Sequence, residues 1–218
     1  RVRAPRRALS ASPADRDELV EQEVELPGGA LRILQPWEAA DLLDDGPIEW
    51  APMAPYWSVL WRSGQALARE VAQLGLAGRR VVELGCGLGL PSIAAARAGA
   101  RVLATDQHAE ALELLARNAA ANGVAVETAV VDWSAADELV ARGPFDCVLA
   151  ADVLYERQSV ATLAALLPRL APEAWIADPG REPAKRFLEL CADAVVEERV
   201  RGVVVLHRLR FPPPGAGR

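Results

Sequence analysis

From Arg80 onward, short apolar and β-branched runs alternate with longer amphipathic stretches. Short bounded apolar runs fit buried strands, and longer stretches with apolar residues every three or four positions fit helices. The pattern predicts strands at about 80–84, 101–106, 126–132, 145–151 and 174–178, and helices at about 90–98, 108–121, 135–141, 159–170 and 183–194. Asn122-Gly123 closes the second of these helices. Such alternation is the signature of a parallel sheet with helices on both faces, a Rossmann-like α/β fold. The end of the chain breaks it: Val195 to Arg201, then Gly202, then Val203 to Phe211 read as two strands joined directly, the mark of a reversed terminal strand. Pro212-Pro213-Pro214-Gly215 stops regular structure, so 212–218 are expected to form a disordered tail.

Before Arg80 the pattern is less regular. Residues 1 to about 12 are rich in Arg, Ala and Ser and read as a mobile arm. Ser12-Pro13-Ala14-Asp15 combines a cap, a proline at the first position and an early acid, so a short helix is expected to reach about Glu21. Glu23 to Leu34 alternates polar and apolar residues around Pro27-Gly28-Gly29 and reads as a β-hairpin. Asp41 to Gly46 reads as an acidic loop, and Ala66 to Leu74 as a helix. The expected organisation is an arm and helix/hairpin extension over 1–45, packing as a small lid or edge, beside a main domain over 46–211.

With 218 residues, 51% of them hydrophobic, the chain can build one full α/β domain plus an extension. A net charge of −6 argues against a general nucleic-acid binder, whose footprint is a basic face. An acidic body suits a basic protein substrate, and equally an ordinary enzyme. Cys86, Cys147 and Cys191 are scattered and odd in number, with no CxxC and no histidine cluster. That fits reduced thiols and argues against a disulfide framework and a zinc site, so no metal is expected. No apolar run approaches the roughly 20 residues of a membrane span. Arg1, Arg3, Arg6 and Arg7 are followed by no apolar signal core, so a cytoplasmic location is expected; the missing Met suggests a trimmed start.

The most informative stretch is Val81-Val82-Glu83-Leu84-Gly85-Cys86-Gly87-Leu88-Gly89. A strand ends in an acid, three alternate glycines make a tight turn, and Pro91 opens a helix. Glycines allow positive φ and close ligand approach, while a helix N-terminus favours polar or anionic atoms. A nucleotide-like cofactor fits here. The dinucleotide fingerprint needs glycine at position 90, where the chain has Leu90. Asp106 ends the next strand at the spacing of a ribose-binding carboxylate.

The pattern Glu83-x-Gly85-x-Gly87-x-Gly89 with Asp106 resembles the class I, seven-β-strand S-adenosylmethionine-dependent methyltransferases. That fold carries a reversed strand at the end of its sheet. Ligands of such sheets lie beyond the carboxyl ends of the strands, and each predicted end here carries a usable group. Asp132 offers an acceptor for an adenine amino group, or a helix cap; Trp133 offers an indole to stack on the ring, or a filler at a loop. Tyr56, Trp57 and Trp61 crowd together before the glycine turn, either as core or as an aromatic wall for a sulfonium, where cation–π attraction supplies ~1 to 2 kcal/mol. Cys86 lies in the turn with no histidine nearby, so a backbone or packing role is expected rather than a nucleophile.

Ala151-Asp152-Val153-Leu154-Tyr155 is the candidate catalytic segment. Asp152-x-x-Tyr155 matches the D-x-x-Y motif of the seven-β-strand protein lysine methyltransferases. Pro55-Tyr56-Trp57, Trp61 and Ser63-Gly64-Gln65 resemble the aromatic pre-motif of the branch acting on the electron-transfer flavoprotein β subunit, and Asp178-Pro179-Gly180-Arg181 its D-P-G-R turn. The likeness covers about residues 50 to 190; that branch has two glycines before its glutamine, and here Ser63 replaces the first. The resemblance implies cofactor contacts from Trp61, Gly85, Cys86, Gly87, Asp106, Trp133 and Ala151, and a substrate-amine site at Asp152 and Tyr155. Glu83, Gly89 and Asp132 complete the candidate cofactor set from their place at the strand ends. The expected activity is N-methylation of a protein lysine. A small-molecule amine methyltransferase and a non-catalytic binding module of the same fold are the alternatives, and a nicotinamide-dependent oxidoreductase a distant one.

Overall fold

The computed structural model describes residues 19–40, 56–155 and 157–213. Seven strands build the central sheet: β3 (Arg80–Leu84), β4 (Arg101–Asp106), β5 (Glu127–Val130), β6 (Cys147–Ala151), β7 (Glu173–Asp178), β8 (Val195–Arg201) and β9 (Val204–Arg210). They lie in the order β5-β4-β3-β6-β7-β9-β8. The first five run parallel, and β9 lies antiparallel to both β7 and β8. The chain crosses from one side of β3 to the other between β5 and β6. That reversal opens a crevice at the carboxyl ends of the strands, where Leu84, Asp106, Ala151 and Asp178 come to one edge.

Alternate residues of β3 serve two separate cores, as a strand period of two dictates. Val81 points into a core shared with α2 (Arg62–Val71), α3 (Leu90–Arg97) and α4 (Ala109–Ala121). Val82 and Leu84 point into the other, shared with α5 (Asp137–Ala141), α6 (Arg157–Leu170) and α7 (Glu182–Leu190). Trp175, Leu67, Ile93, Leu149 and Phe187 are among the fully buried side chains. Each such Leu or Phe adds roughly 1.5–3 kcal/mol. The predicted alternation is therefore present, with a reversed strand at its end. Among the described residues no helix is long and apolar enough to cross a membrane.

Two expectations change and one gains detail. Residues 19–21, predicted as the end of a helix, lie in β1 (Leu19–Val24), which pairs antiparallel with β2 (Leu31–Pro36). Cross-strand pairing outweighs a local helix signal here; residues 1–18, with the arm and the predicted helix start, lie outside the described residues, as do Asp41 to Gly46 and 214–218. The hairpin forms a two-stranded sheet of its own and packs beside the main domain against α4. Asn118 and Asn122, one turn apart on α4, use their amides as a surrogate strand. Leu34 N donates to Asn118 Oδ1 at 2.8 Å and Arg32 N to Asn122 Oδ1 at 2.9 Å, while Asn118 Nδ2 donates to Leu34 O and Asn122 Nδ2 to Arg32 O. Val24, Leu31 and Ile33 of the hairpin then join the core of α2 to α4. Third, α2 begins at Arg62 rather than Ala66, because Trp61 keeps an extended backbone and its carbonyl accepts the Gln65 N–H. Ser63 and Gly64 thus sit in the first turn of the helix.

Candidate active site

The glycine turn is held from below. Gly89, the cap residue of α3, has no side chain to satisfy the first N–H groups of that helix. Glu83 does it from the end of β3: one carboxylate oxygen accepts the Ser92 N–H at 2.9 Å and the Ser92 hydroxyl. Burial pushes the Glu83 carboxyl up to about 8, opposed by the Ser92 bonds and reinforced by the charge of Asp106. Glu83, 1% exposed, therefore shapes the turn from inside the protein.

The three glycines do different work. All have positive φ, +65° at Gly85, +48° at Gly87 and +78° at Gly89. At Gly89 an added Cβ would stand 2.4 Å from Leu115, so the third glycine serves helix packing. At Gly85 it would meet Val153 at 3.1 Å and the Trp133 ring at 3.3 Å; at Gly87 it would meet the Trp57 carbonyl oxygen at 2.8 Å. Gly85 and Gly87 remain partly exposed, and so offer bare backbone at the crevice. Cys86 between them turns its side chain into a small core with Ala104, Leu112 and Leu115, and burial raises its thiol far above the usual range. It is no nucleophile.

Asp106 ends β4 with both oxygens engaged: Oδ2 accepts the Gly87 N–H at 3.0 Å and Oδ1 the His108 N–H at 3.0 Å. Each oxygen keeps a second lone pair for a hydroxyl of a ligand. Asp132 is exposed and caps a 3-10 turn, Trp133–Ala135, accepting Ser134 N–H and hydroxyl on Oδ1 alone; the hydroxyl, first, and the N–H hold its carboxyl below the usual range. The turn is what aims the half-buried Trp133 across Gly85.

Asp152, just past Ala151 at the end of β6, is the most unusual residue of the crevice. Among the described residues it is the single non-glycine with positive φ, +57°, a left-handed conformation that Asp tolerates better than most side chains. Its N–H is held on Ala177 O at 2.9 Å. Its Oδ1 pairs with Arg181 Nη2 at 2.9 Å. Among the described residues, no donor makes a hydrogen bond of ordinary geometry to its buried Oδ2. Burial raises the Asp152 carboxyl, opposed by the charge of Arg181 and by hydrogen bonding from the Ser63 hydroxyl beside it, and supported by Asp178.

Tyr155, half-exposed, stands at the rim with its ring 6.4 Å from that of Tyr56, which stacks at 6.3 Å on Trp61. Trp61 spends its indole N–H on Tyr56 O at 2.9 Å. The crevice thus unites Gly85, Gly87, Asp106, Trp133, Ala151 and Asp152, with Trp61 and Tyr155 joined through Tyr56 at its rim. Glu83, the Cys86 side chain and Gly89 lie behind it, and Asp132 caps its turn through Oδ1 with Oδ2 outside that bond. Arg181 and Ser63 were not recognised as site residues from the sequence, although both stand in quoted motifs; their signal is the D-P-G-R turn and the serine departure themselves. Among the described residues no group of three or more His, Cys, Asp or Glu could hold a metal ion.

The family profile described as lysine methyltransferase matches residues 56–177. The Danio rerio protein N-lysine methyltransferase METTL21A is 34% identical over 121 residues, 52% of this chain and 55% of the relative. The Xenopus laevis electron transfer flavoprotein beta subunit lysine methyltransferase is 34% identical over 161 residues, 69% of this chain and 62% of the relative. The chain therefore spans little more than half the length of these curated relatives. A solved structure, the Pyrococcus abyssi tRNA (uracil-54, C5)-methyltransferase in complex with S-adenosyl-L-homocysteine, superposes with a TM-score of 0.62 at 16% identity, covering 88% of this chain and 44% of that one. At that identity it shows the fold.

Proposed function

The chain belongs to the lysine methyltransferase family, and from that premise we propose that it is an S-adenosylmethionine-dependent N-methyltransferase acting on a lysine side chain of a protein. The observation that carries the reading is Asp152 Oδ2: a buried acceptor with no bond of ordinary geometry among the described residues, at the mouth of the crevice beside the glycine turn. The two relatives named above, both lysine methyltransferases, support the acceptor class.

The residues present fit the cofactor. The partly exposed backbone of Gly85 and Gly87 suits a close-lying chain; Asp106 suits ribose hydroxyls; the half-buried Trp133 ring suits a flat base. When bound, S-adenosylmethionine supplies an electrophilic methyl group on a sulfonium.

The rest is the work of the chain. Displacement at such a methyl needs a neutral amine held in line, about 3 Å away. A lysine amine with a pKa of about 10.4 arrives mostly as ammonium. Asp152 Oδ2 accepts one of its N–H groups, either taking the proton or directing it to water, and so leaves the lone pair aimed at the crevice. Tyr155 and Tyr56 offer ring faces against which the methylene stem of the lysine can lie. Transfer then leaves a methylated amine and S-adenosylhomocysteine.

The test is incubation with labelled S-adenosylmethionine and a cell lysate afterwards separated into protein and small-molecule fractions. Label in discrete protein bands is expected. Label confined to the small-molecule fraction would contradict the protein-substrate reading.

A further inference from the structure

We propose that Arg181 is a positioning residue for Asp152: its guanidinium, locked onto Asp178, occupies Oδ1 of Asp152 and leaves Oδ2 as the one acceptor presented to the incoming amine. This rests on the methyl-transfer reading above. It goes beyond it in giving the Asp178-Pro179-Gly180-Arg181 turn a task.

The turn folds so that Arg181 comes back over the end of β7. Gly180 supplies φ +80°, and the Arg181 N–H donates to Asp178 Oδ1 at 2.7 Å. Arg181 Nη1 then reaches Asp178 Oδ2 at 3.1 Å while Nη2 reaches Asp152 Oδ1 at 2.9 Å. One planar guanidinium thus joins two carboxylates on neighbouring strands, Asp178 being fully buried. Such a fork orients as well as neutralises. The left-handed backbone of Asp152, tied to β7 through Ala177 O, aims the side chain at this fork from the other side. Arg181, Asp178 and the uncharged Ser63 hydroxyl are the groups that act on the carboxylate.

Removing the guanidinium leaves two buried carboxylates facing each other, and a like charge disfavours ionisation. Asp152 would then hold its proton to higher pH and swing free of its place. The charge of Asp178 is the cause of part of that effect, so removing it should restore some of the loss.

The experiment compares wild type, Arg181→Lys, Arg181→Gln and Arg181→Gln/Asp178→Asn; the double variant is the one that folds if an unpaired Asp178 is not tolerated. Two readouts are taken. The first is the 13C-detected titration of the Asp152 carboxyl, assigned with Asp152→Asn and needing no substrate. The second is kcat and KM against pH for label transfer. Arg181→Gln is expected to move the titration midpoint and the acid limb of kcat to higher pH, to lower kcat at neutral pH about tenfold or more, and to leave S-adenosylhomocysteine affinity within about twofold. Arg181→Lys should recover part of the rate, and the double variant should bring the midpoint part of the way back. A folded Arg181→Gln protein with wild-type midpoint and kcat overturns the inference. Absence of transfer by the wild type to any acceptor fails the methyl-transfer reading instead, and an unchanged midpoint in the titration still overturns the role of Arg181.

Discussion

Glu83 accepts both the N–H and the hydroxyl of Ser92 on one carboxylate oxygen, so an acid at the end of β3 caps a helix that begins seven residues later. The cap residue of α3 is a glycine in the left-handed region, and a glycine cannot do this itself. The tight turn and its cap are therefore supplied from two different places in the chain.

Stability should follow the titration of Glu83. Its carboxyl lies near 8 in the folded protein against an ordinary 4.5. The folded state binds the proton more tightly, so this contribution is full below about 4.5 and is lost as pH rises toward about 8. The loss is at most about 1.4 kcal/mol per pH unit. Urea unfolding of wild type and Glu83→Gln between pH 5 and pH 9 checks it: the difference between the two should shrink or reverse with rising pH.

Gly89→Ala should be far more costly than Gly123→Ala. Both glycines have positive φ, but only at Gly89 does the new Cβ meet a neighbour, Leu115 at 2.4 Å. The left-handed backbone costs about 1–2 kcal/mol at either site. Overpacking adds about 1–3 kcal/mol at Gly89. Thermal unfolding of the two variants reads the difference.

Trp133→Ala should weaken S-adenosylhomocysteine binding roughly tenfold, and Trp133→Phe less, since stacking on a base contributes about 1–3 kcal/mol. Calorimetric titration measures it. Folding stability should change little by comparison, because Trp133 is only partly buried.

Asn118→Ala should loosen the hairpin and the glycine turn together. Its amide bonds Leu34 in both directions and donates to Leu88 O at 3.1 Å. Unpaired buried groups cost about 1–3 kcal/mol each. Hydrogen exchange at Leu34 N–H and a lowered unfolding midpoint should report the loss.

The legible parts of the chain were those with local causes. The alternation after Arg80 reflects strands buried on both faces, and the spacing of Gly85, Gly87 and Gly89 reflects backbone geometry that few other residues adopt. Asp106 was legible because it ends the next strand. What stayed hidden depends on partners far away in sequence. Asn122 was legible as the end of α4, but nothing in the string shows that its amide and that of Asn118 bind β2. Leu19-Val20-Glu21 follows a helix-start signal and is paired into a strand. Asp132 could be read as ligand or cap, and the Ser134 hydroxyl that makes its Oδ1 a cap comes from a residue the reading did not weigh. The D-P-G-R turn was visible as a string, while its target, Asp152, lies in another strand connection. Trp61 was visible as an aromatic, but its stacking partner Tyr56 and the reach to Tyr155 follow only from the fold.

The most direct measurement is the chemical identity of the labelled residue. Proteins labelled by the wild type and by Asp152→Asn, a variant that suits the left-handed backbone better than alanine, are hydrolysed and their amino acids separated. Methyllysine from the wild type, and its loss by two orders of magnitude or so in Asp152→Asn with S-adenosylhomocysteine binding retained, is the expected result. Label in methylhistidine or in a carboxyl methyl ester, or methyllysine formed equally well by Asp152→Asn, would contradict it.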